Sequence, residues 1–401
     1  MVRQHLVLTP LAKVREMMRS VFPVPNRTIR VPVAEAAGRI TAGPVYSRLT
    51  HPIRDISARD GFAVRSRETA GASGTNPVRL TDPYWVNTGN AIPPGYDAVV
   101  MVEDVIAEGD ALSTGKAVSP GEHIHPAGSE IREGEMILPA GHWIRPCDIG
   151  ALLTYGITTV DAKEVRIGLI PTGSELVPAG EVPGPGQVIE SNTAGAAVLL
   201  GETGATCTRY EITRDDPHLL RAAIERGVRE NDLLIVSAGS SAGRRDFTAR
   251  IIDDLGEVLV HGIAMKPGTP SILGRIDDKP VIGVPGYPIA AMTAVRELAF
   301  PLLAEWGFRT RSPETLRARL VGRVTSDPGY DEFLLLAISR AGNRYIATPL
   351  PRKSHTQMVM VRGNAYLHIP AGVGCIEEET EVEVTLTGPC WTIREARSPP
   401  T

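Results

Sequence analysis

Between Glu164 and about Trp306, short apolar runs alternate with stretches in which apolar residues recur at helical spacing. This alternation is typical of βαβ units, in which a helix connects two parallel strands. We therefore predict a doubly wound α/β domain with a parallel sheet, which binds ligands at the carboxyl ends of its strands. Its predicted strands and helices are, in chain order, Val165–Ile170, helix Thr193–Glu202, Thr206–Ile212, a helix that begins at Asp216 and Pro217, Leu233–Val236, helix Phe247–Leu255, Val281–Val284 and helix Ile289–Leu303.

The segments on either side of this domain follow other patterns. Thr9 as N-cap and Pro10 as the first helical residue predict a helix near the start of the chain. The region from Thr41 to Ala140 is dense in Pro and Gly and carries short alternating runs, which favours a β-rich unit. After Arg311 there is no helical pattern, and five segments predict a small β-barrel or sandwich: Thr315–Val324, Phe333–Ser339, Tyr345–Pro349, Ala365–Pro370 and Glu381–Leu386.

These patterns, with the family resemblance described below, predict four domains. Residues 1–45 and 141–164 would form an elongated, linker-like N-terminal domain, and residues 46–140 a β-rich domain inserted into it. Residues 165–308 would form the α/β domain and residues 309–401 a small C-terminal β-barrel. The predicted fold class is therefore multidomain, α/β plus β.

Composition excludes several classes of function. Lys plus Arg number 42 and Asp plus Glu 46 among 401 residues, and a formal net charge of −4 does not suit a nucleic-acid binder. No run approaches the roughly 18 apolar residues of a membrane span, and Arg3 and His5 interrupt the first apolar stretch. We expect a cytoplasmic protein without nucleic-acid or membrane partners. The cysteines form no CxxC pair, which argues against a zinc cluster: Cys147, Cys207, Cys375 and Cys390.

Four loops of unusual composition follow strands of the α/β domain. Residues 237–246 form a Ser/Gly-rich loop that leads into a helix, and such backbone can hold a phosphate or another oxyanion. Residues 265–270 and 285–288 add Lys266 and rigid Pro-Gly turns. Residues 171–176 form the fourth loop. None of them is a Walker loop, which weighs against a nucleotide-dependent kinase or synthetase.

Three carboxylates belong to the same edge of the predicted sheet. Glu175, Asp215 and Asp246 follow strands there, and carboxylates suit magnesium that is bound alongside a ligand's phosphates. Asp216 has a structural explanation, because Asp before Pro217 is an ordinary helix N-cap.

Six motifs in order along the chain resemble the molybdopterin molybdenumtransferase family, which includes MoeA and the gephyrin E domain. The resemblance runs from about Thr9 to about Leu386. The motifs are residues 57–63 (SARDGFA), 88–100 (TGNAIPPGYDAVV), 172–176 (TGSEL), 186–192 (GQVIESN), 214–217 (RDDP) and 264–268 (AMKPG).

The resemblance implies a fold and an activity. It implies a homodimer of elongated four-domain protomers with a MogA-like, molybdopterin-binding α/β domain. The implied reaction is magnesium-dependent cleavage of adenylylated molybdopterin, which releases AMP while molybdate or tungstate is inserted into the dithiolene. The implied partner protein is the molybdopterin adenylyltransferase.

The resemblance also implies roles for particular residues. Asp60 would reach into the partner subunit's site with Thr88 beside it, and Lys266 would hold an anionic group. Glu175, Asp215 and Asp246 would line the pocket, the two aspartates as magnesium ligands. The remaining implied contacts are with the pterin cofactor or molybdate: Thr172, Gly173, Ser237, Gly239, Ser241, Gly243, Pro285, Pro288, Arg352 and Ser354.

Five positions depart from the family pattern and leave two hypotheses open. They are Arg59 for Met, Glu130 for Asp, Ala238 for Gly, Thr269 for a second Lys, and Tyr287 for Asn in a PGNP turn. The retained acidic residues and Lys266 favour an active enzyme. The altered loops favour a non-catalytic paralog that binds a pterin cofactor or a protein partner.

Overall fold

The computed structural model describes residues 8–238, 247–308, 314–353 and 355–395, with the side chains of Ala238 and Trp391 excepted. The chain divides into two compact units, one of residues 28–163 and one of residues 1–27 with 164–401. Within the described ranges, no helix is both long enough and apolar enough to cross a membrane.

The first helix, α1, spans Leu11–Val21 and buries Leu11, Val14 and Met18. It begins one residue later than predicted, with Pro10 as N-cap. Thr9 does not cap it, because the Thr9 backbone is extended and pairs with the chain at Ile263. The Thr9 amide donates to Gly262 O at 3.1 Å, and the Ala264 amide donates to Thr9 O at 2.8 Å.

The unit of residues 28–163 is built from short, mostly antiparallel strands and one helix. Its three-stranded sheets have the orders β6–β4–β7 and β5–β9–β8, and its two-stranded pairs are β1–β12, β2–β11 and β3–β10. The elements are β1 Arg27–Pro32, β2 Val45–Tyr46, β3 Ile56–Ser57, β4 Gly61–Val64, β5 Val78–Arg79, β6 Tyr84–Val86, β7 Ala98–Met101, β8 Val105–Glu108, β9 Ala111–Thr114, β10 Ile124–His125, β11 Met136–Leu138, α2 Pro146–Thr154 and β12 Thr159–Glu164.

The α/β domain has a six-stranded sheet of order β16–β13–β17–β21–β20–β18. The first four strands are parallel, as predicted, and the last two join antiparallel. The elements are β13 Arg166–Pro171, β14 Leu176–Val177, β15 Val188–Ile189, α3 Asn192–Gly201, β16 Thr206–Arg209, α4 Pro217–Glu230, β17 Leu233–Ala238, α5 Phe247–Leu255, β18 Glu257–His261, β19 Met265–Lys266, β20 Ile272–Ile276, β21 Lys279–Pro285, α6 Pro288–Ala294 and α7 Phe300–Glu305.

The antiparallel edge of this sheet follows from a tight hairpin. Asp277 and Asp278, between β20 and β21, have φ values of 49° and 58°. Two consecutive left-handed residues make the two-residue turn that joins antiparallel strands. Asp-Asp is a weaker signal for that turn than Asn-Gly, so the sequence analysis missed both β18 and β20.

The predicted helix Ile289–Leu303 contains a π-helical turn, Val295–Ala299, between α6 and α7. Pro301 has no N–H and cannot donate to Glu297 O, which leaves that carbonyl without its usual helical partner. Arg15 Nε donates to Glu297 O at 3.2 Å instead. The irregular turn is therefore stabilised by α1.

The C-terminal region forms a closed five-stranded barrel, β24–β25–β22–β28–β26, with β24 also paired to β26. Leu320, Leu336, Ala365 and Ile369 are fully buried in its core. A short helix lies between β25 and β26, where the sequence predicted none. The elements are β22 Thr315–Leu320, β23 Val324–Thr325, β24 Asp331–Ala341, β25 Arg344–Pro349, α8 Gln357–Arg362, β26 Ala365–Ile369, β27 Cys375–Ile376 and β28 Glu381–Leu386.

One strand of the α/β domain is added to the edge of this barrel sheet. β19 pairs in parallel with the start of β24, with Met265 opposite Asp331 and Lys266 opposite Glu332. The barrel therefore fixes the backbone that carries Lys266.

Candidate functional site

The residue after β13 is bonded to the end of β17 at the carboxyl edge of the sheet. The amide and the hydroxyl of Thr172 both donate to Ser237 O, at 2.9 and 3.0 Å. Both residues are buried, at 6% exposure each. Thr172 and Ser237 thus form a buried contact at the sheet edge where the sequence predicts a ligand site.

The next residues bring two carboxylates onto adjoining loops. Ser174 N donates to Asp215 Oδ2 at 3.2 Å, and Asp215 N donates to Ser174 Oγ at 3.0 Å. Gly173 has φ +150°, and a Cβ there would lie 2.8 Å from Glu175 Oε2. The positive φ favours glycine at this position, and Ser174 keeps the Asp215 loop next to the Glu175 loop.

Asp216 has the structural role that its position before Pro217 indicates. Its Oδ1 accepts the amides of His218 at 2.8 Å and Leu219 at 3.0 Å, which caps α4. The Leu219 amide, followed by that of His218, lowers the pKa of Asp216. Neighbouring aspartates thus differ, since Asp215 bonds to a loop and Asp216 to a helix end.

The turn after β21 is held by a side chain from α3. Asn192 Nδ2 donates to Gly286 O at 2.8 Å. Pro285 is the last residue of β21 and Pro288 the first of α6. Tyr287 between them is 57% exposed, with its ring 6.0 Å from that of His355.

A cavity of about 290 Å³ lies where α6 faces the barrel. Its polar lining includes Lys266, Arg352, Lys353 and Glu332, and its apolar lining includes Ile289. The structure thus places Lys266 and Arg352 in the lining of one cavity, together with Ile289 at the start of α6.

Both of these cations already have partners. Lys266 Nζ lies 2.8 Å from Asp327 Oδ2 and 3.7 Å from the centroid of the Tyr330 ring. Arg352 Nη1 lies 2.8 Å from Glu332 Oε1, and its Nη2 donates to Thr325 O at 2.5 Å. The guanidinium is therefore held in one orientation.

The acidic partners Asp327 and Glu332 were not predicted from the sequence. Asp327 begins an Asp-Pro-Gly turn, a signal that could have drawn attention to it. Glu332 lies within an apolar strand at 6% exposure, and its Oε2 has no hydrogen-bond partner among the described residues. Thr269 is uncharged and does not replace a second lysine, and its hydroxyl donates to Met265 O at 2.7 Å.

In the unit of residues 28–163, Asp60 and Thr88 lie together. The Thr88 amide donates to Asp60 Oδ1 at 2.6 Å, and hydrogen bonds from Thr88 lower the pKa of the Asp60 carboxyl. Asp60 is therefore an exposed, ionised carboxylate.

Glu130, which replaces the family's Asp, accepts a hydrogen bond from the Tyr155 hydroxyl at 2.6 Å, and its carboxylate lies 2.7 Å from His51 Nδ1.

Five of the predicted site residues lie outside the described residues: Gly239, Ser241, Gly243, Asp246 and Ser354. Among the residues that are described, no three His, Cys, Asp or Glu side chains are grouped so as to hold a metal ion.

The fold and these groups define a class of multidomain protein. An α/β domain carries acidic loops at its carboxyl edge, and a closed barrel adds a mainly apolar cavity whose lining includes Lys266 and Arg352. Three family profiles match the chain: MoeA N-terminal region (domain I and II) over residues 9–156, Probable molybdopterin binding domain over residues 168–305, and MoeA C-terminal region (domain IV) over residues 317–387. The chain belongs to the MoeA family, which confirms the resemblance and the predicted fold class.

Relatives and solved structures of this family match over most of the chain. Molybdopterin molybdenumtransferase of Haemophilus influenzae is 30% identical over 310 residues, 74% of this chain and 77% of that protein. Molybdopterin molybdenumtransferase 2 of Mycobacterium tuberculosis is 28% identical over 400 residues, 92% of this chain and 96% of that protein. The crystal structure of a Pyrococcus horikoshii MoeA molybdopterin biosynthesis protein matches with TM-score 0.81 at 31% identity, covering 95% of this chain and 100% of that chain.

Proposed function

We propose that this protein is a molybdopterin molybdenumtransferase of molybdenum cofactor biosynthesis. Its substrates are adenylylated molybdopterin and molybdate or tungstate, and its products are AMP and the metal-bound pterin. The observation that carries the proposal is the cavity in which Lys266 and Arg352 converge next to the start of α6. Its cations suit an oxyanion, and the family supplies the pterin chemistry.

The two cations serve different purposes in this proposal. Arg352, fixed by Glu332 and Thr325 O, presents a preorganised donor that needs little reorientation when an oxyanion arrives. Lys266 is a point charge on a flexible stem, which can leave the exposed Asp327 carboxylate for an incoming anion. The cavity can therefore hold an anion at one fixed and one mobile donor.

Magnesium at the carboxyl edge of the sheet is part of the same proposal. Glu175 and Asp215 provide carboxylate oxygens on adjoining loops, and magnesium usually binds one or two carboxylates together with substrate phosphates. Asp246 would complete the set. When bound, the ion would neutralise charge on the phosphates during their cleavage. The hydrogen bonds from Thr172 to Ser237 O anchor the loop that carries Glu175 to the end of β17.

AMP release from adenylylated molybdopterin tests the proposal. The assay contains magnesium and either molybdate or tungstate, and metal bound to the pterin is measured in parallel. We expect release coupled to metal insertion by the wild type and a loss of about a hundredfold in Lys266→Met. Lys13→Met removes an exposed lysine of α1 and serves as the matched control. Tight pterin binding without AMP release by the wild type would instead indicate the non-catalytic paralog.

A homodimer in which Asp60 acts on the substrate held by the partner subunit is part of the same proposal. Co-expression of Asp60→Asn and Lys266→Met chains tests it. Mixed dimers should recover an activity that neither homodimer has, because each mixed dimer retains one complete set of residues. Absence of recovery in mixed dimers would show that both residues act within one chain. A molybdopterin adenylyltransferase would supply the substrate.

A further inference from the structure

An exposed tryptophan, Trp85, pairs across the sheet with Phe62, two residues after Asp60, and has no part in the function proposed above. Trp85 lies in β6, an edge strand of the sheet β6–β4–β7. Its side chain is 44% exposed, whereas Trp306 in the other unit is 2% exposed. A large aromatic side chain that is exposed to solvent on an edge strand is a candidate for contact with a ligand.

The orientation of the Trp85 ring is fixed on two sides. Phe62 is its cross-strand partner, and the two rings meet edge to face with centroids 5.1 Å apart at 77°. The indole N–H donates to Asn87 Oδ1 at 3.2 Å. A ring that is held in place yet open to solvent loses little conformational freedom when it stacks on a ligand.

The chain segment that begins with Trp85 also binds the Asp60 carboxylate. Thr88, three residues after Trp85, donates its amide to Asp60 Oδ1 at 2.6 Å. On the neighbouring strand, Phe62 follows Asp60 by two residues. Both strands that support the Trp85 ring therefore lead directly into the Asp60 site.

We propose that Trp85 is a specificity-determining residue that stacks on a planar nitrogen heterocycle of the substrate while Asp60 accepts N–H groups at the edge of that ring. Stacking and a carboxylate together suit rings that combine a π face with amino donors. The pterin and the adenine of the substrate both have this chemistry. The inference rests on the proposed function, which brings these rings to Asp60.

Binding experiments with the full chain show whether Trp85 stacks on the pterin or on the adenine. Pterin-6-carboxylate and AMP are titrated separately by equilibrium dialysis against wild type, Trp85→Ala and Trp85→Phe. We expect Trp85→Ala to weaken one of the two probes about tenfold and Trp85→Phe to retain most of the affinity. Tyr84→Ala is the matched control, because Tyr84 is 55% exposed and the adjacent residue of a strand points to the opposite face.

Steady-state kinetics give a second test, because a purely structural role of Trp85 would not change KM alone. In the AMP release assay, Trp85→Ala should raise KM about tenfold with kcat unchanged. Normal binding of both probes by Trp85→Ala, or an equal loss in Tyr84→Ala, would overturn the inference. An active wild type together with an unchanged KM in Trp85→Ala would refute this inference alone. An inactive wild type whose pterin binding depends on Trp85 would refute the proposed function alone.

Discussion

The ammonium group of Lys266 lies 2.8 Å from the carboxylate of Asp327, so an anion that enters the neighbouring cavity meets a lysine that is already paired. The Lys266 and Asp327 side chains are 40% and 50% exposed, and such a pair contributes little to folding. Under the proposed function its larger effect is on anion binding, because Asp327 would compete with the anion for Lys266. Lys266 in turn lowers the pKa of Asp327, which keeps the competitor ionised.

Asp327→Asn should therefore tighten molybdate binding by about threefold, since the amide keeps the shape and removes the competing charge. Equilibrium dialysis with molybdate measures the change. Glu377→Gln removes another exposed carboxylate of the same region, one that pairs with Arg323, and should leave affinity unchanged. Weaker binding in Asp327→Asn would show that Asp327 positions Lys266 rather than competing for it.

Adjacent aspartates should give opposite results. Asp215→Ala should lower kcat about a hundredfold with the thermal midpoint nearly unchanged, because its carboxylate is proposed to hold magnesium at the substrate phosphates. Asp216→Ala should cost about 1 kcal/mol of stability, because it removes the α4 N-cap, and should leave kcat intact. Thermal unfolding and AMP release on the two variants check this. The assignment of the two roles is wrong if the variants cannot be told apart.

The unit of residues 28–163 should lose stability in acid through Asp148. This carboxylate is buried and lies 2.7 Å from Arg145 and 2.8 Å from His142. Arg145 above all lowers its pKa, against the cost of burial. Because the folded pKa lies below the unfolded value of about 3.9, the stabilisation is present above that value and is lost as pH falls through the folded pKa.

Hydrogen exchange of peptides from residues 28–163 tests this at a series of pH values. In the wild type, protection should fall below about pH 4. Asp148→Asn should be less protected at neutral pH and should show a flatter pH profile. The control Asp161→Asn removes an exposed carboxylate paired with Arg30 and should change protection little. An unaltered profile in Asp148→Asn would contradict the prediction.

Gly61 should tolerate no side chain. A Cβ at this position would lie 2.0 Å from Val100 O and 3.0 Å from Met101 Cα, and both are backbone atoms of the adjacent strand. Gly61→Ala should therefore destabilise the unit by about 2 kcal/mol. Gly150→Ala in α2 meets nothing within 4 Å and should be neutral or stabilising. Chemical denaturation of both variants measures the difference, and equal midpoints would refute it.

Periodicity along the sequence predicted the four parallel strands, their helices and the barrel strands, because buried faces impose a regular apolar pattern. It failed where local backbone geometry decided the outcome. The Asp277–Asp278 turn made an antiparallel edge, and the missing N–H of Pro301 produced a π-helical turn that depends on Arg15, 282 residues away along the chain.

The candidate site divides in the same way. Asp60 with Thr88, and Thr172 with Ser237, were named from motifs, and the structure brings each pair into contact. Asp327 and Glu332 were not named, because their importance comes only from the cations that they face. A carboxylate inside a strand gives no signal in the sequence of which distant arginine will pair with it.

The parallel pairing of β19 with β24 has a consequence for any attempt to dissect the protein. A chain cut after residue 308 would retain Lys266 and the whole six-stranded sheet, yet would lose the strand that Met265 and Lys266 pair with. It would also lose Asp327, Glu332 and Arg352. The excised α/β domain would then expose unpaired backbone at β19. The position of Lys266 would depend on a loop rather than on a paired strand. A transfer of this domain to another protein would therefore have to include β24 of the barrel.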